Sequence, residues 1–147
     1  MGRRRLYPLQ PLVGVGALIR KDGEVLLIKR ATEPNKGRWT LPGGLVELGE
    51  EVRAAVRREI EEELGLTLEV GKLIGVFDII QRDPEGKIKF HYVTVDFLAK
   101  PSGGTLRMSR EVENARWLSP AQAWRLDLTP AVRGVLRRVG FVDPATP

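Results

Sequence analysis

The sequence predicts an α/β domain, a mixed sheet with helices packed on its faces. Three observations carry this expectation. The elements read along the chain run strands, one long helix, strands, then helices, an order that needs a sheet covered on its faces. The chain has 147 residues, enough for one domain with a real core. Its 42% hydrophobic and 29% charged residues are the balance of an ordinary globular chain. We expect a basic arm over residues 1–11 and a single domain over 12–147.

Residues 12–20 are rich in Val, Leu and Ile and predict a strand. Lys21-Asp22-Gly23 is a turn signal and 24–30 the returning strand, together a β-hairpin. Residues 32–37 are a loop by composition. A short strand over 39–41 is expected to stop at Pro42-Gly43-Gly44. Residues 50–64 are the clearest helix, with Glu50 and Glu51 in its first turn, where carboxylates suit the positive end of the helix dipole. Gly65 follows as a left-handed C-terminal cap. Two strands, 66–80 and 87–100, flank a turn at Asp83-Pro84-Glu85-Gly86, and a short strand covers 115–118. Ser119-Pro120 and Thr129-Pro130 each read as an N-cap followed by proline at the first helical position, the second opening a helix over 131–139.

Composition excludes several chemistries. With no cysteine there is no disulfide, zinc-thiolate site or cysteine nucleophile. His91, the single histidine, cannot supply a multi-histidine metal site. A metal here must be held mainly by oxygen, which favours Mg²⁺ or Mn²⁺. No apolar run approaches the roughly 18 residues of a membrane span, so no membrane partner is expected. The basic N-terminus lacks an apolar signal-peptide segment, making a cytoplasmic location the default expectation. Arg3, Arg4 and Arg5 supply much of the formal net charge of +5. That arm reads as a solvated, mobile terminus, and RNA is not the expected partner.

The predicted helix carries the chemistry. Val52, Ala55 and Val56 share one face at about 100° per residue. Continued toward the C-terminus, that face brings Glu59, Glu62 and Glu63, while Glu61 falls off it. Half-buried carboxylates repel one another unless compensated, and a divalent cation compensates them. The alternative is a solvated acidic face, with Arg57 and Arg58 in ordinary surface pairs. Leu41-Pro42-Gly43-Gly44 precedes the helix, and its glycines either let backbone approach a ligand or simply make a tight turn.

Gly44, five residues, Glu50, seven residues, then Arg58-Glu59-Ile60-Glu61-Glu62-Glu63-Leu64-Gly65-Leu66 resembles the Nudix box, G-x5-E-x7-R-E-U-x-E-E-x-G-U, with U a bulky aliphatic residue. All nine specified positions of the 23-residue pattern match without insertion. The flanks, 37–43 and 111–120, are similar to the family as well. The resemblance implies a Nudix-type α/β/α sandwich around a mixed β-sheet and Mg²⁺-dependent hydrolysis of a phosphoanhydride in a nucleotide. It implies metal binding by Glu59 and Glu63, assisted by Glu62, with the Gly44 carbonyl completing the protein's share. Arg58 would orient Glu59, and Glu50 would support the same site. The general base in this family is a box glutamate or one on a later loop, for which Glu111 and Glu113 are candidates; both also read as plain surface charge.

Specificity is expected outside the box. Trp39, Phe77, Phe90, His91 and Tyr92 are candidates to stack on a base or ribose, each with a core reading beside it. Arg30, Arg38 and Arg82 are candidates for phosphate contacts. The resemblance ranks ADP-ribose first as substrate and an 8-oxo-dGTP type of nucleoside triphosphate second. A proline about fifteen residues past the box, frequent in ADP-ribose enzymes, is not cleanly present, since Pro84 comes later and inside a turn. A non-catalytic nucleotide-binding module would be expected to lose box glutamates, and none is lost. An RNA-end hydrolase using Arg3 to Arg5 is a further alternative. A homodimer is compatible with the resemblance.

Overall fold

The computed structural model describes residues 4–143 and 145, so Arg3 of the basic arm lies outside the described residues. The first strand, β1 (Leu12–Lys21), turns at Asp22-Gly23 into β2 (Glu24–Arg30). Short strands β3 (Trp39–Thr40) and β4 (Gly43–Leu45) precede helix α1 (Val52–Leu64). Two long strands, β5 (Leu66–Arg82) and β6 (Ile88–Gly104), form an antiparallel pair. After them come β7 (Val112–Leu118), α2 (Pro120–Trp124) and α3 (Pro130–Arg138).

The sheet is mixed. β1 runs parallel to β6, with Leu12 opposite Tyr92 and Gly16 opposite Asp96, and antiparallel to β4 on its other side. β2 leaves β1 near Arg20 and pairs with β3 and β7. Alternation along the strands then builds two cores, because successive side chains point to opposite faces. Ala17, Ile19, Leu26 and Ile28 pack with Ala55, Val56, Ile60 and Leu64 of α1. Leu18, Val25 and Leu27 pack with Val132, Val135 and Leu136 of α3. A strand apolar on both faces needs a layer on each, and the expected α/β/α sandwich is what forms.

Local chemistry explains the ends. Gly65 adopts φ 71 and donates its N–H to the Glu61 carbonyl at 2.9 Å, closing α1. A side chain there would run into the Thr105 carbonyl and Arg107. Ser119 and Gln122 form a reciprocal capping box on α2, and the Thr129 hydroxyl accepts from Val132 N at 3.3 Å to start α3.

Three expectations are corrected. α1 begins at Val52, with Glu51 as its N-cap, so Glu50 and Glu51 are not in its first turn. Glu50 is held outside the helix by Arg58 and by the Glu47 N–H, which donates to Glu50 Oε1 at 3.1 Å. β3 stops before Pro42, but Gly43 and Gly44 are not a plain turn; they begin a further strand, β4, since their bare backbone fits against β1. The arm is not wholly a free terminus. Tyr7 donates its hydroxyl to Asp83 Oδ2 at 2.8 Å and its N–H to the Lys89 carbonyl at 2.9 Å. Among the described residues no helix is long and apolar enough to cross a membrane.

Candidate active site

One cavity gathers the acids of α1. Glu59 and Glu63, one helical turn apart, both line it. β4 adds Gly43 and Gly44, the end of β2 adds Arg30, and the turn before β7 adds Glu111. The glycines make room for the acids. A Cβ on Gly44 would collide with the Glu59 carboxylate, and the Gly43 N–H donates to Glu63 Oε1 at 3.1 Å.

Burial makes these carboxylates reluctant to ionise. Glu63 is only 7% exposed, and burial pushes its carboxyl up to about 8 against the pull of the Gly43 N–H. Glu59 and Glu111 push it further up, and Arg30 opposes them. Burial also raises Glu59, although Arg58 bonds it. Arg30, itself lowered by burial, donates to the Pro34 carbonyl at 2.6 Å and faces the acids as a cation.

Arg58 is the hub beside this cluster. It holds Glu50 bidentately, Nε to Oε2 at 2.7 Å and Nη2 to Oε1 at 2.8 Å, and donates to Glu59 Oε1 at 2.8 Å. Further bonds run to the Leu45 carbonyl at 3.0 Å and to Glu62 Oε2 at 3.2 Å. The Glu50 bonds, with Glu59 adding, raise its already high pKa. One guanidinium thereby fixes the loop before α1 to the carboxylate that faces the cavity.

Other candidates lie elsewhere. The Glu62 side chain is 62% exposed and engages Arg58 outside the cavity. Glu113 pairs with Lys29 at 3.4 Å on the surface. Arg38 is spent on the Leu128 carbonyl at 2.6 Å and Asp127 at 3.3 Å. Trp39 is core beside α3, and Phe77 packs against that core. Phe90 is buried on Tyr92, ring centroids 6.4 Å apart, and of the two only Tyr92 reaches the cavity. Arg82 donates to the Gly86 carbonyl in its own hairpin, and His91 is half-buried outside the cavity.

Three lining residues were not anticipated as site residues. Arg5, expected in a solvated arm, lines the cavity near Arg30 and Tyr92. Thr129 caps α3 and also lines it. Asp96 is a buried acid in the middle of β6. A lone Asp inside the apolar run Val93 to Ala99 was the available signal for it, since strand interiors disfavour Asp.

The donor set fits a hard cation. Glu59, Glu63 and the Gly44 backbone offer oxygen only, and a cation would relieve the repulsion between the two neighbouring carboxylates. Among the described residues no three His, Asp or Glu side chains form a closed metal-holding group.

Known proteins share this architecture. The NUDIX domain family matches residues 9–139. An ADP-ribose pyrophosphatase of Methanocaldococcus jannaschii is 44% identical over 113 residues, covering 77% of this chain and 64% of that protein. The chain thus spans less than two thirds of the length of that relative. The CTP pyrophosphohydrolase of Escherichia coli is 37% identical over 80% of this chain and 82% of its own. The crystal structure of a MutT NUDIX hydrolase from Burkholderia pseudomallei superposes with a TM-score of 0.75 at 42% identity, over 88% of this chain and 98% of that one.

Proposed function

This chain belongs to the NUDIX family, and on that premise we propose that it hydrolyses a phosphoanhydride bond of a nucleoside diphosphate derivative, ADP-ribose first among them. The observation that carries this reading is the convergence of Glu59, Glu63 and Glu111 with Gly44 and Arg30 on one cavity. The choice of ADP-ribose rests on the 44%-identical relative of that name.

Glu59, Glu63 and the Gly44 carbonyl would hold Mg²⁺, for which Mn²⁺ can substitute. Bound there, the ion supplies positive charge against the diphosphate and lowers the pKa of water. Arg30 and Arg5 add fixed positive charge on the cavity wall, so an anionic diphosphate meets less repulsion from the acids. Arg58 keeps Glu59 in one orientation, acting through it as a positioning residue. Glu111 takes a proton from the water that attacks phosphorus, because Glu59 and Glu63 are committed to the cation. A new P–O bond forms, the anhydride P–O bond breaks, and its electron pair leaves on the departing phosphate.

Glu111→Gln is accordingly expected to lower kcat by about 10²-fold and to flatten the acidic limb of the pH–rate profile. Glu113→Gln, paired with Lys29 away from the cavity, serves as the control and should leave both unchanged. An unchanged Glu111→Gln profile would move the base to a box glutamate.

A nucleoside triphosphate substrate is the second reading, favoured by the relative that acts on CTP. One panel separates the two: ADP-ribose, CTP, 8-oxo-dGTP, a dinucleoside polyphosphate and capped RNA, each with Mg²⁺ and with EDTA. AMP and ribose phosphate from ADP-ribose support the first reading. Nucleoside monophosphate and pyrophosphate from a triphosphate support the second. Turnover that persists in EDTA removes the metal from the mechanism, and silence across the panel removes the hydrolase.

A further inference from the structure

Asp96 is not used by the chemistry just described. It is 5% exposed, and burial alone pushes its carboxyl up to about 7, with no charged neighbour contributing. Glu59 and Glu111, which act on Glu63, do not act on it.

Among the described residues nothing donates a hydrogen bond to this carboxyl. Every fully occluded side-chain polar atom among them does have a partner, so the oxygens of Asp96 are not sealed in; they face the cavity they line. A buried carboxyl left without a donor is costly unless a ligand completes it.

Its surroundings describe that ligand. Asp96 sits opposite Gly16 in the parallel register and leans over it, so that a Cβ on Gly16 would strike Oδ1. Gly14 and Gly16 leave the strand face flat, which suits a planar ring. Leu41, Val132 and Val135 supply apolar wall. Gly43, whose N–H holds Glu63, is the partner of Gly16 on its other side. The Gly43 and Asp96 backbones are thus two strand spacings apart, about 10 Å, the order of distance between the diphosphate and the base edge of an extended nucleotide.

We propose that Asp96 reads the base of the nucleotide, accepting a hydrogen bond from the amino group of adenine, cytosine or guanine and disfavouring uracil. The proposal rests on the nucleotide reading of the cavity. An ionised carboxylate only accepts, and a protonated one offers one donor and one acceptor. The ionised form accepts from the exocyclic amino group of adenine or cytosine, or from the adjacent N–H groups of guanine. At the exocyclic position that carboxylate meets the carbonyl of uracil or hypoxanthine as oxygen against oxygen, whereas a protonated carboxyl would donate to the carbonyl and lose the distinction.

The test compares bases that differ only in that group. CMP against UMP and AMP against IMP are titrated by calorimetry into the full chain in EDTA at pH 8, where the Asp96 carboxyl is mostly ionised. The wild type should bind CMP and AMP at least about tenfold more tightly than their partners. Asp96→Asn, isosteric and checked for folding by circular dichroism, should bring each pair within about twofold. Asp96→Ala should weaken CMP and AMP to the level of UMP and IMP. A wild type that treats the paired bases alike, or an Asn variant that keeps the wild-type ratio, overturns the proposal. Base discrimination in EDTA without hydrolysis on the substrate panel would remove the hydrolase reading and support this one. Hydrolysis with no base preference would do the reverse.

Discussion

Glu63→Gln is expected to lower kcat by about 10²–10⁴-fold, the loss that follows removal of a charged group acting at the reacting centre, and to make the metal-free protein more stable at pH 8. The two effects share one cause. Glu63 carries a carboxyl that burial holds at about 8 instead of an ordinary 4.5. Between those values the folded chain binds more protons than the unfolded chain. The stability of the neutral carboxyl is complete below about pH 4.5 and is lost as pH rises through about 8. Glutamine keeps an oxygen to accept from the Gly43 N–H but never ionises, so the variant avoids that loss. Denaturant unfolding in EDTA from pH 4 to 9 should show the two proteins diverging upward through this window, by an amount on the order of a few kcal/mol at the alkaline end. Asp96 titrates in both proteins and cancels in the difference. Wild-type activity in the variant would take Glu63 out of the site. Parallel pH curves would mean that its burial imposes no ionisation penalty.

Arg58→Ala should do the opposite to stability. It removes the guanidinium from Glu50 and Glu59, whose side chains are 16% and 19% exposed, and a donor from the Leu45 carbonyl. Breaking a fully buried pair costs about 3–5 kcal/mol, and partial exposure of this cluster reduces the expectation to about 2–3 kcal/mol. Catalysis should fall about 10–100-fold, with the Mg²⁺ concentration for half-maximal activity rising by a similar factor, because Glu59 loses its orientation. Lysine should restore little, since an ammonium cannot hold Glu50 bidentately while reaching Glu59. Arg57→Ala, at the exposed neighbouring position, is the control and should change neither quantity. Destabilisation with an unchanged Mg²⁺ requirement would reduce Arg58 to a structural brace.

These predictions rest mostly on residues legible in the sequence, for a local reason. Glu59 and Glu63 share a face with Ala55, Val56 and Ile60 because a helix repeats every 3.6 residues, and the same arithmetic applies before folding and after. Glu62 lies at the margin of that face, where Arg58 takes it outward, a preference no periodicity contains. The helix starts later than its pattern predicts for a similar reason, because Glu50 answers to a guanidinium eight residues away rather than to the helix dipole. The far end of the cavity was harder to read. Asp96 faces it because β6 lies parallel to β1, a pairing between segments about 80 residues apart. Arg5 reaches it because Tyr7 is tied to the β5–β6 turn. Trp39 and Phe90 have the right chemistry for stacking on a base, yet strand alternation sends both into core.

The parallel pairing of β1 with β6 also bears on how the chain is made. On a ribosome adding ~5–20 residues per second, roughly 4–16 s separate the emergence of Leu12 from that of its partner Tyr92. Once β2 and β4 have emerged they can pair with β1, but its other edge stays open until β6 is made. Leu18 and Ile19, fully buried in the finished protein, then have one side uncovered. The nascent chain thus displays an apolar strand edge for seconds, the kind of surface that holdase chaperones engage and that neighbouring chains on a polysome can capture.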